Sequence, residues 1–138
     1  MPNGIRLEGL TLAVASVKRS IEFYRDKLGL AVEVDKAPEF GMIRVGGKNG
    51  GAIGLLSMEV ADGAAGKSWT PEQRAAIHVE LSTDDLDALY GELKARGVQF
   101  HTPPHDEPWE RCTDIRDPDG YTVEIAQGRR GHNAPGKS

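Results

Sequence analysis

Residues 78–98, HVELSTDDLDALYGELKARGV, change their hydrophobic period in mid-course. Val79 and Leu81 alternate with His78, Glu80 and Ser82, the period-2 pattern of a half-buried strand. From there Leu86, Leu89, Tyr90 and Leu93 fall on one stripe at helical spacing. Asp84, Asp85 and Asp87 load the N-terminal turn with the charge that a helix dipole favours, and Lys94, Arg96 and Gly97 mark its end. The stretch therefore predicts a strand followed directly by a helix.

Three further strands are expected after this helix, at about 98–101, 109–116 and 121–126, the last two joined by the turn Asp117-Pro118-Asp119-Gly120. The same order occurs earlier in the chain. Leu10, Leu12 and Val14 alternate with Gly9, Thr11 and Ala13. Val17, Ile21, Tyr24 and Leu28 then form a helical stripe, opened by Ser16 and closed by Gly29. Three strand candidates follow at about 30–35, 40–46 and 51–58, with Gly46-Gly47-Lys48-Asn49-Gly50 as a hairpin loop. Displaced by 69 positions, Leu10, Leu12 and Val17 fall on Val79, Leu81 and Leu86, which reads as a duplicated unit. The expected organisation is one domain over 1–127, with module one at about 5–58, a linker at 59–73 and module two at about 74–127. Residues 128–138 are expected to be a flexible tail.

Composition narrows the function classes. With 138 residues, 38% hydrophobic and 28% charged, the chain can bury one core but not two independent ones. A net charge of −4 gives no cationic face for tracking phosphates, and the one basic cluster, Arg129-Arg130, lies in the expected tail, so no nucleic-acid partner is expected. The single cysteine, Cys112, excludes an intramolecular disulfide and a Cys-cluster zinc site. No apolar run approaches a membrane span, so no membrane partner is expected. Ala13-Val14-Ala15 imitates a signal-peptidase site, but Glu8 and Gly9 interrupt the apolar segment it would need; the expected location is cytoplasmic.

The stretches Ser20–Leu30 (SIEFYRDKLGL), His78–Leu86, Leu93–Val98 (LKARGV) and Asp117–Glu124 (DPDGYTVE) together resemble the vicinal oxygen chelate superfamily, the fold of glyoxalase I, bleomycin-resistance proteins and extradiol dioxygenases. The resemblance spans about residues 5–127. It implies an α+β fold of two βαβββ modules forming a cupped mixed sheet, helices outside and ligand inside, often in a homodimer. Strand parity agrees: if Val79, Leu81, Val123 and Ile125 face the helices, then His78, Glu80, Thr122 and Glu124 face the cup.

Metal-dependent members of that superfamily place ligands on the first and last strand of each module. The resemblance carries this role to His78 and Glu124 in module two and to Gly9 and Gly54 in module one, where there is no side chain to donate. Glu80, one strand pleat from His78, is an awkward third ligand, and Glu8 or a histidine of the 101–105 loop swinging in is the other route to one. A hard divalent ion held by one imidazole and one carboxylate stays mostly hydrated. The expectation is therefore no tightly bound metal, with a weak divalent site at His78 and Glu124 as the remaining option, and no glyoxalase I activity. Glu124 is the candidate catalytic base; a relic hydrogen-bonded pair is the other reading of His78 and Glu124.

The expected ligand pocket comprises Thr11, Met42, Arg44, Leu56, His78, Trp109, Thr122 and Glu124. Arg44 is either a fork for an anionic ligand or one half of a rim ion pair with Glu39 or a neighbour. Trp109 is placed at the pocket rim; Trp69 is a ligand wall or interface area. Cys112, without a histidine near it in sequence, is expected to be a buried small hydrophobe, and His101 and His105, flanking Pro103-Pro104, solvated loop residues. Two functions remain open: a module that binds a small organic molecule, or a lyase, isomerase or dioxygenase.

Overall fold

The computed structural model describes residues 3–61 and 67–128, which divide into two compact units between Ser68 and Trp69. In the first unit β1 (Gly9–Val14) leads into α1 (Val17–Glu22), which continues as a π-helical segment, Phe23–Lys27. Strands β2 (Ala31–Lys36), β3 (Phe40–Val45) and β4 (Gly51–Ser57) follow. The sheet order is β1-β4-β3-β2, with β1 parallel to β4 and the other pairs antiparallel. Ser16 caps α1 as its spacing predicts, accepting a hydrogen bond from the Arg19 N–H at 3.1 Å. Val17, Ile21 and Tyr24 are buried along with Leu12, Val14, Ile43, Ile53 and Leu55, with α1 packed on β3 and β4. Each such side chain contributes about 1.5–3 kcal/mol relative to exposure. The same alternation puts Gly9, Thr11, Met42, Arg44 and Gly54 on the opposite face.

The second unit repeats the plan. Its strands are β5 (His78–Thr83), β6 (Phe100–Glu107), β7 (Glu110–Arg116) and β8 (Thr122–Gln127), ordered β5-β8-β7-β6 with β5 parallel to β8. Helix α3 (Leu86–Ala95) is capped by Asp85, whose carboxylate accepts from the Ala88 N–H, and its Leu86 N–H donates to Gln127 Oε1 at 2.6 Å. Leu86 and Leu93 join Val79, Ile115, Val123 and Ile125 in the core. The buried Asp117 carboxylate holds the β7–β8 turn by accepting from the N–H groups of Asp119 and Tyr121. The expected α+β architecture of two βαβββ modules is thus present.

Two elements differ from expectation. A one-turn helix, α2 (Pro71–Arg74), closed by a Thr70/Gln73 capping box, occupies part of the segment expected to be linker. More consequential, β6 runs to Glu107 instead of stopping near residue 101. Pro103 and Pro104 are tolerated because β6 is the edge of its sheet, where a missing N–H breaks no second ladder. Its register with β7 shifts between Phe100 and Thr102 and again between Thr102 and His105. The expected tail lies outside the described residues, apart from Gly128. Among the described residues no helix is long and apolar enough to cross a membrane.

Candidate functional site

Parallel pairing of β5 with β8 sets His78 beside Thr122 and Glu80 beside Glu124. Residues two apart on a strand point the same way. Glu80 therefore does not stand apart from His78: ligand atoms of His78, Glu80 and Glu124 lie within 4.8 Å of one another. The sequence expectation of only two converging donors is corrected by this third. On the same sheet lies a hollow of about 480 Å³ whose walls include His78, Trp109, Asp114, Arg116, Thr122 and Glu124. Trp109, 61% exposed, is at that wall, whereas Trp69 is not. Thr122 is fixed by donating its hydroxyl proton to the Ala75 carbonyl at 2.6 Å. Arg116 donates to Asp114 at 2.5 Å, so this cation is already matched.

A second cluster sits in the β6–β7 hairpin. The two-residue turn Pro108-Trp109 pairs Glu107 with Glu110, Asp106 with Arg111 and His105 with Cys112. His105 is thus a strand residue rather than a loop one. Its Nε2 lies 3.1 Å from Glu107 Oε2 and 3.6 Å from Cys112 Sγ, and its Nδ1 lies 2.9 Å from the Pro103 carbonyl oxygen. His101 is also a strand residue and lines the hollow. The bond to Pro103, aided by Glu107, raises the His105 pKa above its usual range. Burial, with nearby Glu124 and Glu110, pushes the Cys112 thiol up to about 11. Cys112 is buried, as expected for a small hydrophobe, but it does have a histidine neighbour. One sequence signal could have revealed the pair: counting outward from the Pro108-Trp109 turn brings residue 105 opposite 112.

In the first unit Gly9, Thr11, Met42, Arg44 and Gly54 line a separate hollow of about 370 Å³; Leu56 is not among its walls. Arg44 Nε donates to Glu33 Oε1 at 2.6 Å and Nη1 to the Gly50 carbonyl at 2.8 Å. Its partner is thus Glu33 rather than Glu39, and the contact holds Glu33 below and Arg44 above their usual pKa ranges. The register makes the modules equivalent residue by residue. Gly9 pairs with Ala52 and Thr11 with Gly54, as His78 pairs with Thr122 and Glu80 with Glu124. Neither position accepts a Cβ without a shift of its neighbour, backbone at Gly9 and a side chain at Gly54. A Cβ on Gly9, at φ +154°, would lie 1.9 Å from the Ala52 carbonyl oxygen, and one on Gly54 would lie 2.8 Å from Thr11 Oγ1.

Residues 6–125 match the Glyoxalase/Bleomycin resistance protein/Dioxygenase superfamily, and with this fold and register the chain belongs to that family. It is 32% identical over 127 residues to Uncharacterized protein YraH of Bacillus subtilis, covering 88% of this chain and 97% of the relative. It is 25% identical over 130 residues to the Vibrio cholerae protein named Probable lactoylglutathione lyase, covering 88% and 89%. The structure of TnmS3, an antibiotic binding protein from Streptomyces sp. CB03234, superposes with a TM-score of 0.71 at 21% identity, covering 92% of this chain and 98% of that one, which is a likeness of fold.

Proposed function

We propose that the chain binds a small organic molecule against the open face of the β5–β8 sheet, as a homodimer in the cytoplasm, without needing a tightly held metal. The observation that carries this is the hollow of about 480 Å³, within the size range of small-molecule sites. Its Arg116 and Asp114 offset one another, which leaves the carboxylates of Glu107 and Glu124 on its wall. That balance favours a ligand with a positive charge and a flat apolar body to lie on Trp109. Arg44, although it faces the first-unit hollow, is neutralised by Glu33 and adds little pull on an anion. The antibiotic-binding relative in fold, TnmS3, fits a sequestering role of this kind. A thermal-shift panel of cationic aromatic antibiotics and acidic metabolites tests it. Stabilisation by cationic members, reduced in Trp109→Ala and Glu124→Gln, is expected; stabilisation by acidic members alone, or by none, overturns it.

The convergence of His78, Glu80 and Glu124 supports a second reading, a metal-dependent lyase, isomerase or dioxygenase. These three side chains fit a divalent ion of borderline hardness. Such an ion would polarise an oxygen of the bound molecule. In that setting His78 and Glu80 hold the ion, and Glu124 either ligates or takes a proton from the ligand. Titration with nickel, zinc, manganese and iron separates the readings. One equivalent surviving brief chelation, and lost in His78→Ala and Glu80→Gln, would favour the enzyme. The paired glycines of the first unit still argue against glyoxalase I.

A further inference from the structure

We propose that His105, Glu107 and Cys112 form a zinc-type metal site on the β6–β7 hairpin, in the wall of the same hollow that holds His78 and Glu124. Ligand atoms of the three residues lie within 4.8 Å of one another. They come from two strands joined by a two-residue turn, so the backbone holds them at fixed separation without help from a mobile loop. The donor set of one imidazole, one carboxylate and one thiol is borderline to soft, which suits zinc or cobalt rather than magnesium or calcium.

The geometry of His105 supplies the second argument. The Pro103 carbonyl can only accept, so Nδ1, 2.9 Å away, carries the proton and donates it. The Glu107 carboxylate also only accepts, so without a metal Nε2 donates to it at 3.1 Å; a metal ion takes the place of that proton, on a line that points at Glu107 and Cys112. The Nδ1–H bond to Pro103 is the outer-shell arrangement that orients metal-bound histidines. A tetrahedral zinc with bonds of about 2.3 Å to sulfur and about 2.05 Å to nitrogen and oxygen sets S···N near 3.6 Å and N···O near 3.3 Å. The distances here are 3.6 Å for Cys112 Sγ to His105 Nε2 and 3.1 Å for Nε2 to Glu107 Oε2. Two of the three donor separations thus match edges of a tetrahedron and the third, Cys112 to Glu107, lies within 4.8 Å, with the fourth corner left for water or a ligand atom. Binding turns the Cys112 thiol into a thiolate and removes the Nε2 proton of a His105 ring that was donating to Glu107, and these protons are released to solvent. The competing arrangement is an imidazolium donating Nε2–H to Glu107, with no metal.

Cobalt(II) alone, added to the chelator-treated full chain, reads the site directly, because only thiolate ligation gives a near-ultraviolet sulfur-to-cobalt charge-transfer band. One equivalent is expected to produce the band, and zinc to bleach it. Affinity should fall by about tenfold or more in His105→Ala and in Glu107→Gln. Both side chains are 39% exposed, so these variants should fold. Cys112→Ser should abolish the band, while His78→Ala should leave it unchanged. The proposal is overturned if no band forms at millimolar cobalt, if cobalt binds without it, or if His105→Ala does not weaken it. A metal held by Cys112 with Glu110 and Glu124, whose ligand atoms also lie within 4.8 Å of one another, would give the band but keep it in His105→Ala, which overturns the proposal, and the ligand panel is read by thermal shift, so each reading fails separately.

Discussion

Gly54 faces Thr11 across the β1–β4 ladder so closely that a Cβ on the glycine would stand 2.8 Å from the threonine Oγ1. The expected consequence is a conditional cost. Gly54→Ala should destabilise by about 1 kcal/mol in urea unfolding, since overpacking forces Thr11 off its rotamer. In a Thr11→Ala background most of that cost should vanish, because the crowding oxygen and methyl are gone. Equal cost in both backgrounds would show that Thr11 is not what closes the position.

Asp117 is 5% exposed and accepts two backbone hydrogen bonds within the β7–β8 turn. Asp117→Ala leaves two buried N–H groups unmatched and should cost about 2–4 kcal/mol. Asp117→Asn keeps an acceptor oxygen and should cost less than half as much. Denaturant midpoints at neutral pH decide between them.

Tyr121, 2% exposed, hydrogen-bonds Arg74, the buried arginine of α2. Tyr121→Phe should cost about 1–3 kcal/mol. Burial also raises the phenol pKa above its ordinary 10.0. Above that pH the unfolded chain gives up the proton while the native one keeps it. Stability should therefore fall as pH rises from about 10 toward the folded-state value. Midpoints measured across that range should show a shallower fall in Tyr121→Phe; parallel curves would contradict the assignment.

Ile5 and Leu7 are 72% and 91% exposed beside the edge strand β1. Apolar side chains left out beside an unpaired edge suit a partner surface. Light scattering should show a dimer at micromolar concentration, and Leu7→Glu should shift it toward monomer without lowering the helix and strand content. A monomeric parent chain would remove the homodimer.

The duplicated βαβββ order was legible because each element announces itself locally. Val79 and Leu81 alternate; Leu86, Leu89, Tyr90 and Leu93 do not; Asp117–Gly120 can only turn. Ser16 and Asp85 mark helix starts through bonds only three residues long. The family resemblance carried ligand positions onto Gly9 and Gly54, and an absent side chain needs no geometry to be absent. Which side chains share a sheet face followed from parity: Thr11, Met42 and Arg44 lie on one hollow and His78, Thr122 and Glu124 on another, while Leu56 is on neither.

What only the tertiary structure decided is which side chains meet across strands. Parity says that Glu80 shares a face with His78, but its closeness to Glu124 depends on β5 pairing with β8, some 40 residues away in sequence, in one register rather than another. Local chemistry misleads at Pro103-Pro104, where prolines that would break a central strand are accepted because β6 is an edge. That tolerance carries His105 to Cys112 and makes a lone cysteine part of a cluster. Arg44 likewise has several carboxylates within plausible reach, and the β2–β3 pairing selects Glu33. Periodicity is a property of neighbours along the chain, whereas register is set by the summed burial of both strands, and so the composition of a site spanning several strands is fixed only when the sheet closes its ladder.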